Sequence, residues 1–430
     1  MRNKTLLRTA SLFACASLAL SACTMADKGS AGSGSSGSGT GVAFGAPQED
    51  FQKALADMEE TTLKLQVSST SATSISGQRD QAFADAIEQI SGGKLKIDVV
   101  YANAVVPPDG ISDALADGRL DLAHWLTSYH KDEMPAFMAL QDALVAAPSS
   151  PLQGEIVTHF AAQEVAFNTP EIMAEFEEQG MTVLNPLNTF GSTALACTDE
   201  KNKLADFNGT QIRVNAAAQV IQSEAMGAST VSLQLGETYE GLQRNVIQCT
   251  YGSMTTMVGN GWLEQASNVY FPQDGTFGIG SGSIVAGSSW SQLPLAAQQL
   301  IFDQMSMYNV GELGQSYVAQ AEGIEAARKA GGGMHYLPAD INEKLTAGNE
   351  QILDQVRESS MLDGEKLVDN VRSTSEKWSG IADELGYKDE GEILDFSQWY
   401  PGNGEVMDSE YLEPIVDKFF EEVLLPHRPA

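Results

Sequence analysis

Between Gly209 and Gly252 the chain alternates short strand-like stretches with helical ones, and this confines it to a small set of folds. Gly209-Thr-Gln-Ile-Arg-Val-Asn215 reads as a strand. A helical run follows, then a strand near Ser229-Thr-Val, a helix over Glu237–Gln243 and a third strand ending at Gly252. Strands separated by helices make a mainly parallel sheet covered on both faces. Such sheets bind ligands at the carboxyl ends of their strands. Arg213 stands at one of those ends. Its planar fork of donors fits a carboxylate, and it keeps its charge when desolvated. The residues alone leave a second reading open, an arginine paired with a surface acid.

The rest of the folded part shows the same alternation. Thr62–Ser68, Lys94–Tyr101, Leu120–Trp125 and Met181–Leu184 read as strands, and Arg79–Ser91 as a helix ended by Gly92 and Gly93. Gln153–Gln179 is helical with a break near Pro170. Thr276–Ala286 reads as a strand returning to the first half. Ser291–Ala330 is the longest helical pattern, near 35 residues and so about 50 Å. Tyr411, Leu412, Ile415, Val416, Phe419, Phe420, Val423 and Leu424 form an apolar stripe. The acids between them oppose an anionic lipid surface, so a docked terminal helix is expected.

The ends of the chain place it outside the cytoplasm. Arg2, Lys4 and Arg8 precede a short apolar run, Thr9–Leu20, and Leu20-Ser-Ala-Cys23 closes it. This is a secretory signal, too short to span a bilayer. Its ending resembles the bacterial lipoprotein cleavage box, in which Cys23 is lipidated and becomes the first residue. Plain secretion is the alternative. Lys28–Gly45 is rich in Gly and Ser and reads as a flexible coil with a reach of roughly 25 Å. Cys15 leaves with the signal and Cys23 takes the lipid. Cys197 and Cys249 remain as an even pair in an oxidising compartment, where a disulfide is the default and two buried thiols the alternative.

Formal charge is −32, and near −35 without the three basic residues of the leader. That field repels nucleic acid and anionic lipid. A binder of acids with this charge needs a local cation. Enzyme signatures are lacking: His124, His130, His159, His335 and His427 have no zinc-helix spacing, and there is no phosphate-binding loop, EF-hand or nucleophile elbow. Paired carboxylates stay open. No metal and no cofactor are expected.

Several motifs, in order and spacing, carry a family resemblance. They are Gly92-Gly-Lys-Leu-Lys-Ile-Asp-Val99, Leu115-Ala-Asp-Gly-Arg-Leu-Asp-Leu122, Met134-Pro-Ala-Phe137, Leu204-Ala-Asp-Phe-Asn-Gly-Thr-Gln-Ile-Arg-Val214, Gly236-Glu-Thr-Tyr-Glu-Gly-Leu-Gln-Arg-Asn-Val-Ile-Gln-Cys249 and Ser289-Trp-Ser-Gln-Leu-Pro-Leu-Ala-Ala-Gln298. From about Leu63 to about Ala330 the chain resembles the DctP-type solute-binding proteins of tripartite ATP-independent periplasmic (TRAP) transporters. The resemblance implies a two-lobed α/β periplasmic-binding-protein fold, a long helix bracing both lobes, and a membrane permease as partner. It implies that Arg213 clamps a substrate carboxylate, and that Tyr251 stands where the family often has a polar run. It also favours the Cys197–Cys249 disulfide. It does not extend to a dicarboxylate or sialic-acid assignment, because a second arginine near Thr193 is missing.

The expected organisation is a signal peptide (1–22), lipidated Cys23 with a linker (23–47), lobe I (60–188 plus 276–310), lobe II (189–275 plus 311–385) and a C-terminal extension (386–430). Strand ends nominate Ser69, Trp125, Thr127, Phe190 and Tyr251 beside Arg213 as pocket residues, each with a core role as the alternative. Trp125 is the expected apolar wall. Together they suggest a small organic acid with one carboxylate and an apolar or aromatic body. Other readings are the binding subunit of an ATP-driven (ABC) importer, a receptor presenting its ligand to a membrane sensor, and a secreted enzyme.

Overall fold

The computed structural model describes residues 39–189 and 191–430. The expected signal peptide, Cys23 and Phe190 lie outside the described residues. The strands run β1 (Thr61–Gln66), β2 (Leu95–Val100), β3 (Leu122–Trp125), β4 (Thr182–Asn188), β5 (Thr193–Cys197), β6 (Gln211–Val214), β7 (Ser229–Ser232), β8 (Cys249–Ser253), β9 (Asn268–Phe271), β10 (Gly282–Ala286) and β11 (Gly333–Tyr336). They form two sheets, of order β2-β1-β3-β10-β4 and β11-β9-β5-β8-β6-β7. Helices cover both, giving two α/β lobes.

The sheets are mixed where a mainly parallel sheet was expected. β10 runs antiparallel to β3 and β4, and β5 antiparallel to β8 and β9. The cause is the chain path. β4 leads into β5 through residues 189–192, and β9 leads back into β10 through 272–281. A strand that enters a sheet from the other lobe arrives at the end where the βα units finish, so it runs against them.

Local sequence explains the elements that carry the site. In β1, Leu63 and Leu65 point inward while Thr62 and Lys64 do not. Helix α1 (Ile75–Ile90) starts at Ser74, whose hydroxyl accepts the Gly77 N–H. It begins four residues earlier than its apolar face alone indicated, because the capping serine lies in a loop rich in Ser and Thr. Phe83, Ala84 and Ile87 bury its inner face.

The long helical pattern is two helices. Leu295–Asp303 ends at Gln304, whose ψ of −2° breaks the helix, and a second helix, α2, runs over Met305–Lys329. The first piece is thereby free to meet the N-terminal segment. There Gln299 Oε1 accepts the Val42 N–H at 2.7 Å, and Val42 is buried. The linker is therefore docked from Val42 onward, before its expected end at residue 47. The second piece is buried on nearly all sides, as a helix between two lobes and a C-terminal segment must be. At position 314 only glycine fits: a Cβ there would sit 2.0 Å from the Val406 carbonyl oxygen.

The C-terminal stripe is docked. Leu412, Ile415, Val416 and Phe419 of helix Ser409–Phe419 are buried, and Phe420, Val423 and Leu424 continue the buried face. Phe419 stacks on Phe160 of helix Gln153–Phe167 at 4.3 Å between ring centres. Arg428 grips Asp303 through two hydrogen bonds of 2.6 and 2.8 Å. The extension also reaches the second sheet, where the Tyr336 hydroxyl donates to Glu392. No described helix is long and apolar enough to cross a membrane.

Cys197 and Cys249 sit directly opposite each other in the β5–β8 pair and are joined by a disulfide. Closing a loop of 52 residues contributes roughly 4 kcal/mol by chain entropy. It ties β5 to β8, and β8 in turn pairs with β6, the strand that carries Arg213.

A buried acid holds the first crossing between lobes. Glu155 accepts the Ser192 N–H, and Gly191 (φ 91°) passes so close to Ser316 that a Cβ would lie 2.6 Å from its hydroxyl oxygen. Burial pushes the Glu155 carboxyl up to about 7; the Ser192 hydrogen bonds pull it down, and Asp389 adds to the rise. The folded form therefore binds more protons than the unfolded one between pH 4.5 and about 7, and the Glu155 contribution to stability falls as pH rises through that window. Buried His124 and His159, held down at about 3 and about 4, act in the opposite sense below pH 6.5. Comparison with Glu155→Gln isolates the acid. In chemical denaturation at pH 5 and pH 8, wild type should lose roughly 3 kcal/mol relative to the variant on going to the higher pH. Parallel pH profiles for the two proteins would show that Glu155 does not titrate in this way.

Candidate functional site

In the first sheet β1 lies between β2 and β3, and all three are parallel. The chain leaves β1 to one side for β2 and returns on the other for β3. The loops diverge at the carboxyl end of β1, opening a crevice there. Ser68, Ser69 and Thr70 occupy it. The second sheet repeats the geometry: β6 lies between β7 and β8, again all parallel, with Arg213 opposite Val231 and Thr250. Asn215 follows β6. Helices Ala217–Ala225 and Thr238–Gln243 provide the two crossovers. The two crevices open on one cavity of about 110 Å³, lined by residues from both lobes.

Arg213 is 1% exposed. Its Nε donates to the Leu233 carbonyl at 3.1 Å, and its Nη2 to the Tyr129 hydroxyl at 3.4 Å. The guanidinium lies 5.6 Å from the centre of the Trp262 ring, within reach of a cation–π contact. Burial lowers its pKa, and Tyr129 partly restores it. Among the described residues Arg213 makes no ion pair. Its fork is held from behind by a carbonyl and a ring, while its charge is left without an acid. A buried cation without a partner is unfavourable, and a carboxylate entering the cavity removes the penalty.

The other arginine on the lining is the opposite case. Arg79 pairs with Asp80 at 2.6 Å and with Glu312, and lies over the Tyr308 ring at 4.4 Å. Burial pushes the Glu312 carboxyl up to about 7, with Arg79 opposing the rise. The Arg79 charge is already committed, so this group buttresses the wall between α1 and α2.

Of the residues nominated from sequence, Arg213 and Ser69 line the cavity. The Ser69 hydroxyl donates to Asp80 at 2.5 Å and so braces the Arg79 group. Trp125 does not form the apolar wall. It is fully buried in the first-lobe core, packed on His130 and Phe176 with ring centres at 4.7 and 5.9 Å. Successive residues of a strand face opposite ways, so His124 reaches the cavity and Trp125 the core. Thr127 is buried within hydrogen-bond distance of Ser283, at 2.9 Å, away from the lining. Tyr251 is also a core residue: its hydroxyl meets Ser223 at 3.3 Å and its ring packs on Phe277. Gly252 and Ser253 line the cavity in its place.

Sequence reasoning missed Tyr129, His124, Thr193 and Asn215, all on the lining. Asn215 was within reach of the same logic that found Arg213, lying two residues further along the same strand end. Tyr129 carried no such signal, because it comes from a short turn, Thr127–Tyr129, after β3. Buried His124 is kept neutral, its pKa pulled to about 3 by burial and then by Arg79. Among the described residues no group of three or more His, Cys, Asp or Glu is placed to hold a metal ion.

Three solved structures share this fold. A TRAP solute-binding protein from a marine metagenome, described as specific for aromatic acids and bound to 3-hydroxybenzoate, superposes with a TM-score of 0.65 at 18% identity, covering 75% of this chain and 99% of its own. A second marine metagenome TRAP protein, with co-purified pyroglutamate, gives 0.63 at 15% identity, covering 74% and 100%. The sugar acid binding protein of Advenella mimigardefordensis, with galactonate, gives 0.62 at 15% identity, covering 75% and 100%. Residues 67–359 match the sequence profile described as bacterial extracellular solute-binding protein, family 7, the DctP family. Two lobes, a cavity between their strand ends and a profile spanning both lead to one conclusion: this chain is a member of the DctP family of bacterial extracellular solute-binding proteins.

Proposed function

We propose that this protein captures a small organic acid between its two lobes, with Arg213 holding the carboxylate, and delivers it to a TRAP-type permease. The observation that carries the reading is the buried guanidinium of Arg213. It faces an interlobe cavity and has no acidic partner among the described residues. The acids bound by relatives of the same fold support it: pyroglutamate, 3-hydroxybenzoate and galactonate each bear a carboxylate. Lobe I is taken as 60–188 plus 276–310 and lobe II as 189–275 plus 311–385. The crossings at 189–192 and 272–281 then serve as hinges for closure on the ligand. The protein works on the outer face of the cell membrane, anchored by lipid on Cys23 and needing no cofactor.

Two experiments test this. Native mass spectrometry of the purified protein should show a co-purified acid on wild type and none on Arg213→Ala, with circular dichroism unchanged. Loss of a buried charge partner weakens binding on the order of 100-fold or more. Retention of the same ligand by the variant would refute the clamp. For the anchor, Cys23→Ser should move the protein from the membrane fraction to the soluble extracytoplasmic one. An unchanged distribution would refute lipidation at Cys23.

A further inference from the structure

We infer that the acid bound here is a polyhydroxylated monocarboxylate, of the aldonate class, rather than an aromatic acid or a dicarboxylate. The inference rests on the proposed reading of the interlobe cavity as the ligand site. It is carried by three observations.

The first is charge. The cavity wall holds two arginines, Arg79 and Arg213. Arg213 has no acidic partner among the described residues, whereas Arg79 is flanked by Asp80 and Glu312. One carboxylate is matched at Arg213. A second would meet Arg79, whose charge Asp80 and Glu312 already compensate, and so would find no uncompensated cation. His124, buried and neutral on the same wall, offers no further positive charge.

The second is hydrogen-bonding capacity. Twelve of the twenty-five described lining residues are Ser or Thr, so the wall is dense in groups that both donate and accept. Many are tied to the protein, as Ser128 is to Gln141 and Ser281. Thr70, Ser76 and Thr193 have no hydrogen-bond partner for their hydroxyls among the described residues, nor has Asn215 for its side-chain amide. Thr193 is 7% exposed and stands on β5 near the crossing. Asn215 reaches from the second lobe to the first: a Cβ at Gly280 would lie 2.0 Å from its Nδ2, so glycine there gives the amide room. These groups line the same cavity as Arg213, from both lobes. A ligand without hydroxyls would leave them buried and unpaired on closure, which is the strongest means a site has of rejecting a ligand.

The third is how little aromatic surface the described residues bring to the cavity. Trp125 and Tyr251 point into the two cores, and Trp262 stands behind Arg213 without lining the cavity. Aliphatic contact is confined to Ile75, Leu126 and Leu235. Among the described residues the apolar or aromatic ligand body expected from sequence finds for stacking only the Tyr129 ring, whose hydroxyl is engaged by Arg213, and the His124 imidazole.

Thermal-shift titration of the dialysed full chain tests this with D-gluconate, L-threonate, benzoate, succinate and glucose. Gluconate or threonate should raise the melting temperature, and benzoate, succinate and glucose should not. Thr193→Val and Asn215→Leu should each weaken the hydroxy acid roughly tenfold while circular dichroism stays unchanged. Binding of benzoate or succinate that is lost in Arg213→Ala would overturn the ligand class and leave the carboxylate clamp standing. Glucose binding as tightly as gluconate would overturn the clamp itself. A flat response to every probe would also overturn the inference, and the co-purified mass from wild type would then decide the clamp separately.

Discussion

A guanidinium that water scarcely reaches, with no acid against it among the described residues, is the constraint on which the rest of this structure depends. In a chain with a formal charge of −32, acids are abundant. Keeping them all away from Arg213 requires a wall built from neutral donors and carbonyls, and that is what surrounds it: the Leu233 carbonyl, the Tyr129 hydroxyl and the Trp262 ring. The position is set by topology. Arg213 lies at the point where the loops from β6 part toward β7 and β8, and the Cys197–Cys249 disulfide locks β8 to β5 alongside. The strong negative field opposes any anion at long range, so positive charge can attract one only where it is local and uncompensated.

Buried polar groups sit along an apolar cluster that runs through both lobes and the long helix. Glu155 holds Ser192 of the segment between β4 and β5, and Arg79, Asp80 and Glu312 join α1 to α2. His159 and Gln163 meet Asn309 of the same helix at 2.8 and 3.0 Å. Hydrogen bonds of this kind have direction, so they fix how α2 sits on its neighbours more narrowly than apolar contact does. The C-terminal extension adds a second constraint by packing along α2 and touching β11.

Much of this was legible in the sequence, for physical reasons. The alternation between Gly209 and Gly252 fixed strand, helix and strand because periods of 2 and 3.6 differ over so short a stretch. The arginine at a strand end and the even cysteine pair followed from chemistry alone. Other features depended on information that local pattern does not hold. A strand end announces that a residue is near the crevice but not which face it takes, so Trp125 was assigned to the cavity and His124 was not. Tyr251 failed for the same reason, one residue short of Gly252. The antiparallel strands β5 and β10 have ordinary strand sequences, and only the path between lobes sets their direction. The break at Gln304 lies in a run of good helix formers. The helix before the break also carries a contact that local pattern does not show, the Val42–Gln299 hydrogen bond to the N-terminal segment, which spans more than half the sequence.

The central claim is that Arg213 is unpaired in this chain because its partner is the ligand. A crystal structure of the protein purified with its own ligand tests this most directly. The account predicts a carboxylate in the interlobe cavity, both oxygens within hydrogen-bond distance of the Arg213 guanidinium, with Tyr129 beside it. A bound molecule whose carboxylate lies elsewhere, with Arg213 still free of any anion, would contradict it.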